Sequence, residues 1–318
     1  MHESLQPAID GGALSRRRPR RRGDLSTMQL SAFLNLPSIL LIIAVVGYPL
    51  LYAAWVSFHH VGIRELRTGQ AAWAGLGNYA AALADPAFRS SFVHTVVFTA
   101  ISVALEIGLG LGVALAMNMK GIWLARGTAV VMLVPWAIPP IVNGILWSFI
   151  FNSEYGYLND ILLRLHLTTS YVSFLTNSTL AFAVVIIAYV WRTTPFSALL
   201  FHASLQGIPH DLYEAADVDG ASAVKRLFGI TLPLLTPTFL AVLVLRTLFA
   251  FLVFDEILAI TYGGPGNSTW TAAWYVYASA FFYLKFGLGS AAAYLLSVAT
   301  GLVALLYIRL LSRRAEYA

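Results

Sequence analysis

Residues 92–119, FVHTVVFTAISVALEIGLGLGVALAMNM, carry no lysine or arginine and one carboxylate, Glu106, in a mostly apolar stretch. A helix crosses the hydrocarbon core of a bilayer, ~30 Å thick, with ~20 mostly apolar residues, and this stretch is longer than that. Five further runs have the same character: Leu36 to Phe58, Gly127 to Phe151, Thr179 to Ser204, Leu232 to Thr261 and Phe286 to Leu311. None shows the alternation of a membrane barrel, whose strands span in about 9–11 residues. The fold class expected is all-α, a polytopic membrane protein with six transmembrane helices.

Composition agrees with this. Of 318 residues 58% are hydrophobic and 11% charged, and mean hydropathy is +0.74. A soluble domain is about 45–50% apolar and roughly 25% charged. Too few polar side chains remain to cover a water-facing surface, which excludes a soluble enzyme, a disordered chain and a collagen-like chain. With no cysteine, disulfides, thiolate metal sites and a catalytic cysteine are excluded as well.

The net charge of +5 needs an address. Arg16, Arg17, Arg18, Arg20, Arg21 and Arg22 precede the first run, which is too long for a signal-peptide core of ~7–15 residues and is followed by no A-x-A-like cleavage site. It is expected to be a retained span behind a mobile basic tail. With the N-terminus inside, thirteen basic residues are cytoplasmic: those six with Lys120, Arg126, Lys225, Arg226, Arg309, Arg313 and Arg314. Five face outward, Arg64, Arg67, Arg89, Arg164 and Lys285. The asymmetry is a positive-inside bias, so both termini are expected in the cytoplasm. The arginine run is read as an orientation signal and not as a nucleic-acid site. The expected organisation is a basic tail over 1–34, a six-helix membrane domain over 35–312 with a cytoplasmic loop at 205–231, and a short C-terminal tail at 313–318.

Motifs for chemistry are missing. There is no G-x-x-x-x-G-K-[ST], no H-E-x-x-H and no G-x-S-x-G in the chain. His59 and His60 are adjacent and would diverge on a helix, so they are expected to be polar residues closing the first span. No catalytic residues and no metal site are expected. Asp255 and Glu256 fall near the outer end of the fifth run, where hydration is cheap.

The informative loop reads IPHDLYEAADVDGASAVKRLFGITLPLLTP from Ile208 to Pro237. Pro209 suits a first helical turn, and Asp211 and Glu214 favour its N-terminal dipole. Ala215 and Ala216 are strong helix formers without bulk. Gly220 permits a left-handed turn. A second amphipathic helix is expected over Ala221 to Ile230, with Pro233 and Pro237 marking re-entry into the membrane. A small-residue centre flanked by carboxylates suits either a docking surface or an ordinary surface loop.

Glu214-Ala215-Ala216, Gly220 and Ile230-x-Leu232-Pro233 resemble the EAA loop of ABC importer permeases. Gly75-Leu-Gly-Asn-Tyr79, Trp191-Arg-Thr-Thr-Pro-Phe196, Leu205-Gln-Gly-Ile-Pro209 and Gly263-Gly-Pro-Gly-Asn-Ser-Thr269 resemble its carbohydrate-uptake branch, of the maltose, glycerol-phosphate and trehalose type. The likeness covers about Leu36 to Ser312; the extra N-terminal spans and large outer domain of the maltose-type subunit are missing. The resemblance implies a type I importer permease fold with a cytoplasmic coupling helix, in a bacterial inner membrane. It implies a homologous second permease, two copies of a P-loop ATPase that carry the ATP and Mg, an extracytoplasmic solute-binding protein, and a sugar as cargo. This chain is then no enzyme and binds no cofactor itself. Tyr213, Glu214, Ala215, Ala216, Asp217, Asp219 and Gly220 would couple to the ATPase. Gly75, Asn78, Tyr79, Gly263, Gly264 and Pro265 would face the binding protein, or else form tight turns.

Polar and aromatic groups inside spans are the candidates for a solute pathway. Asn143 and Trp147 share one helical face; Tyr189, Thr193 and Phe196 recur on another; Arg246, Phe249, Ala250 and Val253 form a third. By resemblance these faces line the cavity, with Glu256 added to them. Glu106 is expected to pair with a basic residue of a neighbouring span, because a lone mid-span charge costs about 2.5–3.5 kcal/mol. Gly108 and Gly112 form a G-x-x-x-G, expected to let another helix approach. Arginines outnumber lysines 17 to 3, a bias of GC-rich genomes such as actinobacterial ones, and trehalose is the expected solute ahead of maltose-type glucans and glycerol-phosphate. A self-sufficient secondary transporter is the alternative, although the repeated halves with broken helices that it calls for are not visible.

Overall fold

The computed structural model describes residues 27–118 and 124–315. The arginine run at 16–22, Lys120 and most of the basic tail lie outside the described residues. Two compact units are distinguished, Met1–Tyr52 and Ala53–Ala318.

In the first unit, helix α1 (Thr27–Ile42) continues through a π-helical turn (Ile43–Gly47) into α2 (Tyr48–Ser57). Helix therefore begins at Thr27, earlier than the expected start at Leu36, and residues 27–34 are helical although they were assigned to the tail. No side chain from Ser31 to Tyr52 is buried. A helix this apolar and this exposed suits lipid as its solvent.

The second unit opens with a two-stranded antiparallel ribbon, β1 (His59–His60) against β2 (Ala72–Trp73), with helix α3 (Ile63–Thr68) between them. His59 and His60 thus belong to a strand; His59 Nδ1 lies 2.7 Å from the Trp55 carbonyl oxygen, and its ring stacks on Trp55. Helix α4 (Gly77–Ala84) leads to α5 (Pro86–Met117). Asp85 caps α5 by accepting the Ala87 N–H at 2.8 Å, and Pro86 sits in the first turn, where a missing N–H costs nothing.

The third apolar run does not form one straight span. Helix α6 (Leu124–Ala137) is followed by α7 (Pro140–Ile150) after a bend of 103°. Pro139 and Pro140 are the cause: the residue before a proline is pushed out of helical geometry, and Pro139 is extended, with φ −55 and ψ 140. After the short helix α8 (Tyr157–Arg164), Asn177 caps α9 (Ser178–Gln206), accepting from the Thr179 and Leu180 N–H groups at 3.0 Å.

Helix α10 (His210–Val218) lies in the loop. The expected second loop helix is not separate. Helix α11 (Ala223–Arg226), a π-turn (Leu227–Thr231) and α12 (Leu232–Phe251) run on without a break. The Leu232 N–H bonds back to the Leu227 carbonyl, and this wider turn admits Pro233 without ending the helix. The fifth run does break, after Phe251. Helix α13 (Asp255–Ile260) follows, then α14 (Ala272–Tyr277), a π-turn (Ala278–Phe282) and α15 (Phe286–Ala315). Among the described residues five helical stretches are long and apolar enough to span a membrane, and a sixth is completed only when the bent pair α6–α7 counts as one span.

The core of the second unit lies where α5, α9 and α12 meet, with Phe98, Val185, Phe201, Leu235 and Val242 fully enclosed. Close approach of α5 and α9 depends on Gly110, where a Cβ would lie 3.0 Å from Ser197 Cβ and 3.2 Å from the Ala198 nitrogen. Gly108 and Gly112, the expected contact pair, have nothing within 4 Å of that position. One turn of helix separates those two glycines on a face that the neighbour does not use, while Gly110 lies on the face that it does.

Candidate functional site

Two regions concentrate the features singled out in the sequence. The first is the loop. Pro209 stands just before α10, Asp211 is in its first turn, and Gly220 has φ +70 as anticipated. The Gly220 N–H donates to the Asp217 carbonyl at 3.1 Å and the Ala221 N–H to Ala216 at 2.9 Å, a left-handed termination that satisfies end carbonyls. Tyr213 and Asp217 turn toward their own chain: the Tyr213 hydroxyl is 2.9 Å from Thr231 Oγ1, and Asp217 pairs with Arg226. These two ties hold α10 against the start of the long helix. Glu214, Ala215, Asp219 and Gly220 face outward with Leu212 and Val218; Val218 is 89% exposed, which for an isolated valine beside carboxylates makes a mixed apolar and acidic surface.

The second region lies among α5, α7, α9, α12 and α13. Glu106 is completely buried. It accepts from Ser197 Oγ at 2.5 Å and Thr193 Oγ1 at 3.1 Å, and its Oε1 lies 2.5 Å from Arg246 Nε. The expected basic partner is thus Arg246, and the ion pair ties α5 to α12 through two hydroxyls of α9. The Arg246 guanidinium carbon lies 5.9, 5.7 and 5.9 Å from the ring centres of Tyr189, Phe196 and Phe249. Phe196 also stacks on Trp136. Phe249 is itself exposed.

Glu256 departs from expectation. It is not hydrated at a span end but buried, with Oε1 2.8 Å from Arg192 Nη2 and 3.0 Å from Arg192 Nε. The break after Phe251 turns α13 back onto α7 and α9. Gly144 allows it, because a Cβ there would collide with Ala259. The same break removes Val253 from the α12 face on which it was placed; it lies beyond the helix end. Arg192 in turn lies 5.9 Å from the Tyr189 ring centre, so Tyr189 is flanked by two arginines, each paired with its own carboxylate.

Asn143 donates to the Ala188 carbonyl at 3.1 Å, and Trp147 packs edge-on to Trp191, so the α7 and α9 faces do meet. Tyr189 Oη, Asn143 Oδ1, Arg246 Nη2 and Arg246 Nε are buried without a hydrogen-bond partner among the described residues, Nε being in ion-pair contact with Glu106 only. Such orphans are rare in folded proteins and each costs about 1–3 kcal/mol.

Of the residues expected to face the binding protein, Asn78 and Tyr79 lie in the first turn of α4, and the glycines lie in turns. Asn78 is buried and donates to the carbonyls of Ser57 and His59, both at 2.9 Å, and the Tyr79 hydroxyl is 2.7 Å from Ser57 Oγ. Gly75 has φ +53, and beside it Trp73 and Leu76 are exposed. Gly263 has φ +84 and faces the indole nitrogens of Trp270 and Trp274, which leave no room for a side chain; Gly264 and Pro265 follow it in the turn. Residues the sequence did not single out are Ser197, Gly110 and Gly144. Only Gly110 left a trace there, as the middle glycine of G-L-G-L-G.

Five long apolar helices, a helix–glycine loop on a continuous span and a buried polar cluster define a membrane transport subunit. Residues 108–317 match the family described as binding-protein-dependent transport system inner membrane component, and the chain belongs to that family. It is 36% identical over 291 residues to the sulfoquinovosyl glycerol transport system permease protein SmoG of Agrobacterium fabrum, covering 91% of this chain and 92% of the relative. It is 38% identical to the trehalose/maltose transport system permease protein MalF of Thermococcus litoralis, over 76% and 80% of the two chains. With the trehalose transport system permease protein SugA of Mycobacterium tuberculosis it shares 36% identity over 92% and 91%. The fold matches a chain in the crystal structure of a bacterial ABC transporter involved in the import of the acidic polysaccharide alginate, at TM-score 0.77 and 21% identity over 90% of this chain and 95% of that one. The type I importer permease fold expected from the sequence is the one observed.

Proposed function

We propose that this permease carries a neutral disaccharide, with trehalose the first solute to test. The observation that supports it is the set of buried orphan atoms: a phenol hydroxyl, an amide oxygen and a guanidinium N–H, the last on Arg246, which also meets the exposed ring of Phe249. A sugar hydroxyl both donates and accepts, so one class of ligand satisfies all three, and aromatic faces suit the C–H surface of a pyranose. Both nearby arginines are cancelled by carboxylates, which leaves no net positive charge for the phosphate of glycerol-phosphate or for a sulfonate. Two of the relatives reported above are named for trehalose.

The same reading extends to the rest of the machine. A homologous second permease completes the pathway, and two ATPase copies, which hold the ATP and Mg, receive the two coupling loops. An extracytoplasmic binding protein delivers solute to the outer turns around Gly75–Tyr79 and Gly263–Pro265. Both termini and the loop are cytoplasmic, in the inner membrane of a bacterium. Glu214 and Asp219 supply the outward carboxylates for docking and Gly220 the turn. Calorimetry of the partner binding protein against trehalose, maltose and glycerol-phosphate tests the solute; heat from the phosphate alone would overturn it. Uptake that persists in Glu214→Lys would overturn the coupling role.

A further inference from the structure

The ion pair beneath the pathway carries a role beyond holding helices together. Glu106 is buried and both its oxygens are already engaged by Ser197, Thr193 and Arg246, so it has no acceptor left to offer a solute. Its partner has capacity to spare: Arg246 keeps Nη2 unpaired and lies within 6 Å of the ring centres of Tyr189, Phe196 and the exposed Phe249. Arginine has several torsions and would sample many positions in an apolar wall; here one carboxylate fixes Nε and two hydroxyls of α9 fix the carboxylate. The charge matters as much as the position. An uncompensated guanidinium in a low-dielectric wall attracts anions strongly, whereas a paired one offers only N–H donors.

We propose that Glu106 is a positioning residue of the solute pathway, which aims the Arg246 guanidinium at the Tyr189, Phe196 and Phe249 rings and cancels its charge so that the wall accepts an uncharged solute and not an anion. This rests on the solute pathway put forward above. Arg192 and Glu256 repeat the arrangement on the other side of Tyr189, so removing Glu106 alone leaves the wall with a single unbalanced positive charge.

The test uses the whole complex, with second permease, ATPase and binding protein, in proteoliposomes. Trehalose uptake and ATP hydrolysis are measured in sodium sulfate and in sodium chloride of equal ionic strength. Glu106→Gln keeps the shape and one acceptor oxygen, enough for one of the two hydroxyls that Ser197 and Thr193 give to separate oxygens of Glu106, and loses the charge. It is expected to slow uptake about tenfold, and sulfate is expected to slow it further, while the wild type is indifferent to sulfate. The double variant Glu106→Gln with Arg246→Met is expected to be slow and indifferent to sulfate. Wild-type rates in Glu106→Gln overturn the proposal, as does a slow variant without sulfate sensitivity, which marks a merely structural role. Should Glu106→Gln fail to assemble, the double variant decides, because normal uptake by it shows that neither side chain matters to the solute. A wild-type complex that hydrolyses ATP but moves no trehalose overturns the disaccharide reading alone, and the ATPase rates then carry the sulfate comparison.

Discussion

Arg192 Nη2 lies 2.8 Å from Glu256 Oε1 and joins the middle of α9 to the first turn of α13. Both side chains are largely removed from solvent. Breaking one half of a buried pair typically costs about 3–5 kcal/mol, because the remaining charge is left uncompensated. Glu256→Met or Arg192→Met alone should therefore destabilise the chain strongly in detergent unfolding, and the double substitution should be milder than either. Additive losses in that double-mutant cycle would show that the pair is not coupled.

Gly110 and Gly108 are two residues apart, yet only Gly110 meets a neighbouring helix. Overpacking of a tight contact costs about 1–3 kcal/mol. Gly110→Val should lower the thermal unfolding midpoint by several degrees and Gly108→Val should leave it unchanged. Equal effects of the two would contradict the packing described.

Gly220 has φ +70, a conformation that costs an ordinary L-residue about 1–2 kcal/mol. With open space around it, strain is the only penalty. Gly220→Ala should reduce coupled uptake with normal membrane insertion, and Gly220→Asn, which tolerates the left-handed region, should retain more. Uptake rates at matched expression distinguish the two.

Glu65 accepts the Gly62 N–H at 2.9 Å at the start of α3, and hydrogen bonds from the backbone of Glu65 itself and of Gly62 hold its carboxyl below the usual range. A lowered carboxyl stabilises the fold above the ordinary glutamate value and loses that contribution as pH falls through its own, lower value. Hydrogen-exchange protection over 62–68, taken relative to the intrinsic rate at each pH, should fall below about pH 4.3, and Glu65→Gln should flatten the dependence. Unchanged protection across that range would remove the cap from the account.

The spans were legible because lipid demands length and apolarity, and both are properties of a local window. Breaks were not. Pro139-Pro140 bends its run by 103°, whereas Pro233 and Pro237 lie within a continuous helix, Pro233 directly after the π-turn at Leu227–Thr231, and no composition rule separates the two outcomes. Glu106 announced that it needed a cation, since an isolated charge is costly, but the choice of Arg246 over Arg192 depends on three-dimensional register. Glu256 was misplaced for the same reason: its position along the chain looked like a span end, and the fold returned it to the interior. The loop was readable residue by residue, because a glycine turn and a helix start are encoded within a few neighbours.

The unbroken helix from Ala223 to Phe251 places the loop and Arg246 on a single rod, and twenty residues at ~1.5 Å each put Arg226 and Arg246 about one bilayer core apart. Such a rod transmits torque as well as thrust. Its π-turn inserts one residue into the winding, so it sets the rotational phase between the face that α10 packs on and the face that carries Arg246. Deleting a single residue from Leu227–Thr231 would shift that phase by ~100° and turn Arg246 away from Glu106, a timing fault in a shaft whose two ends are each intact.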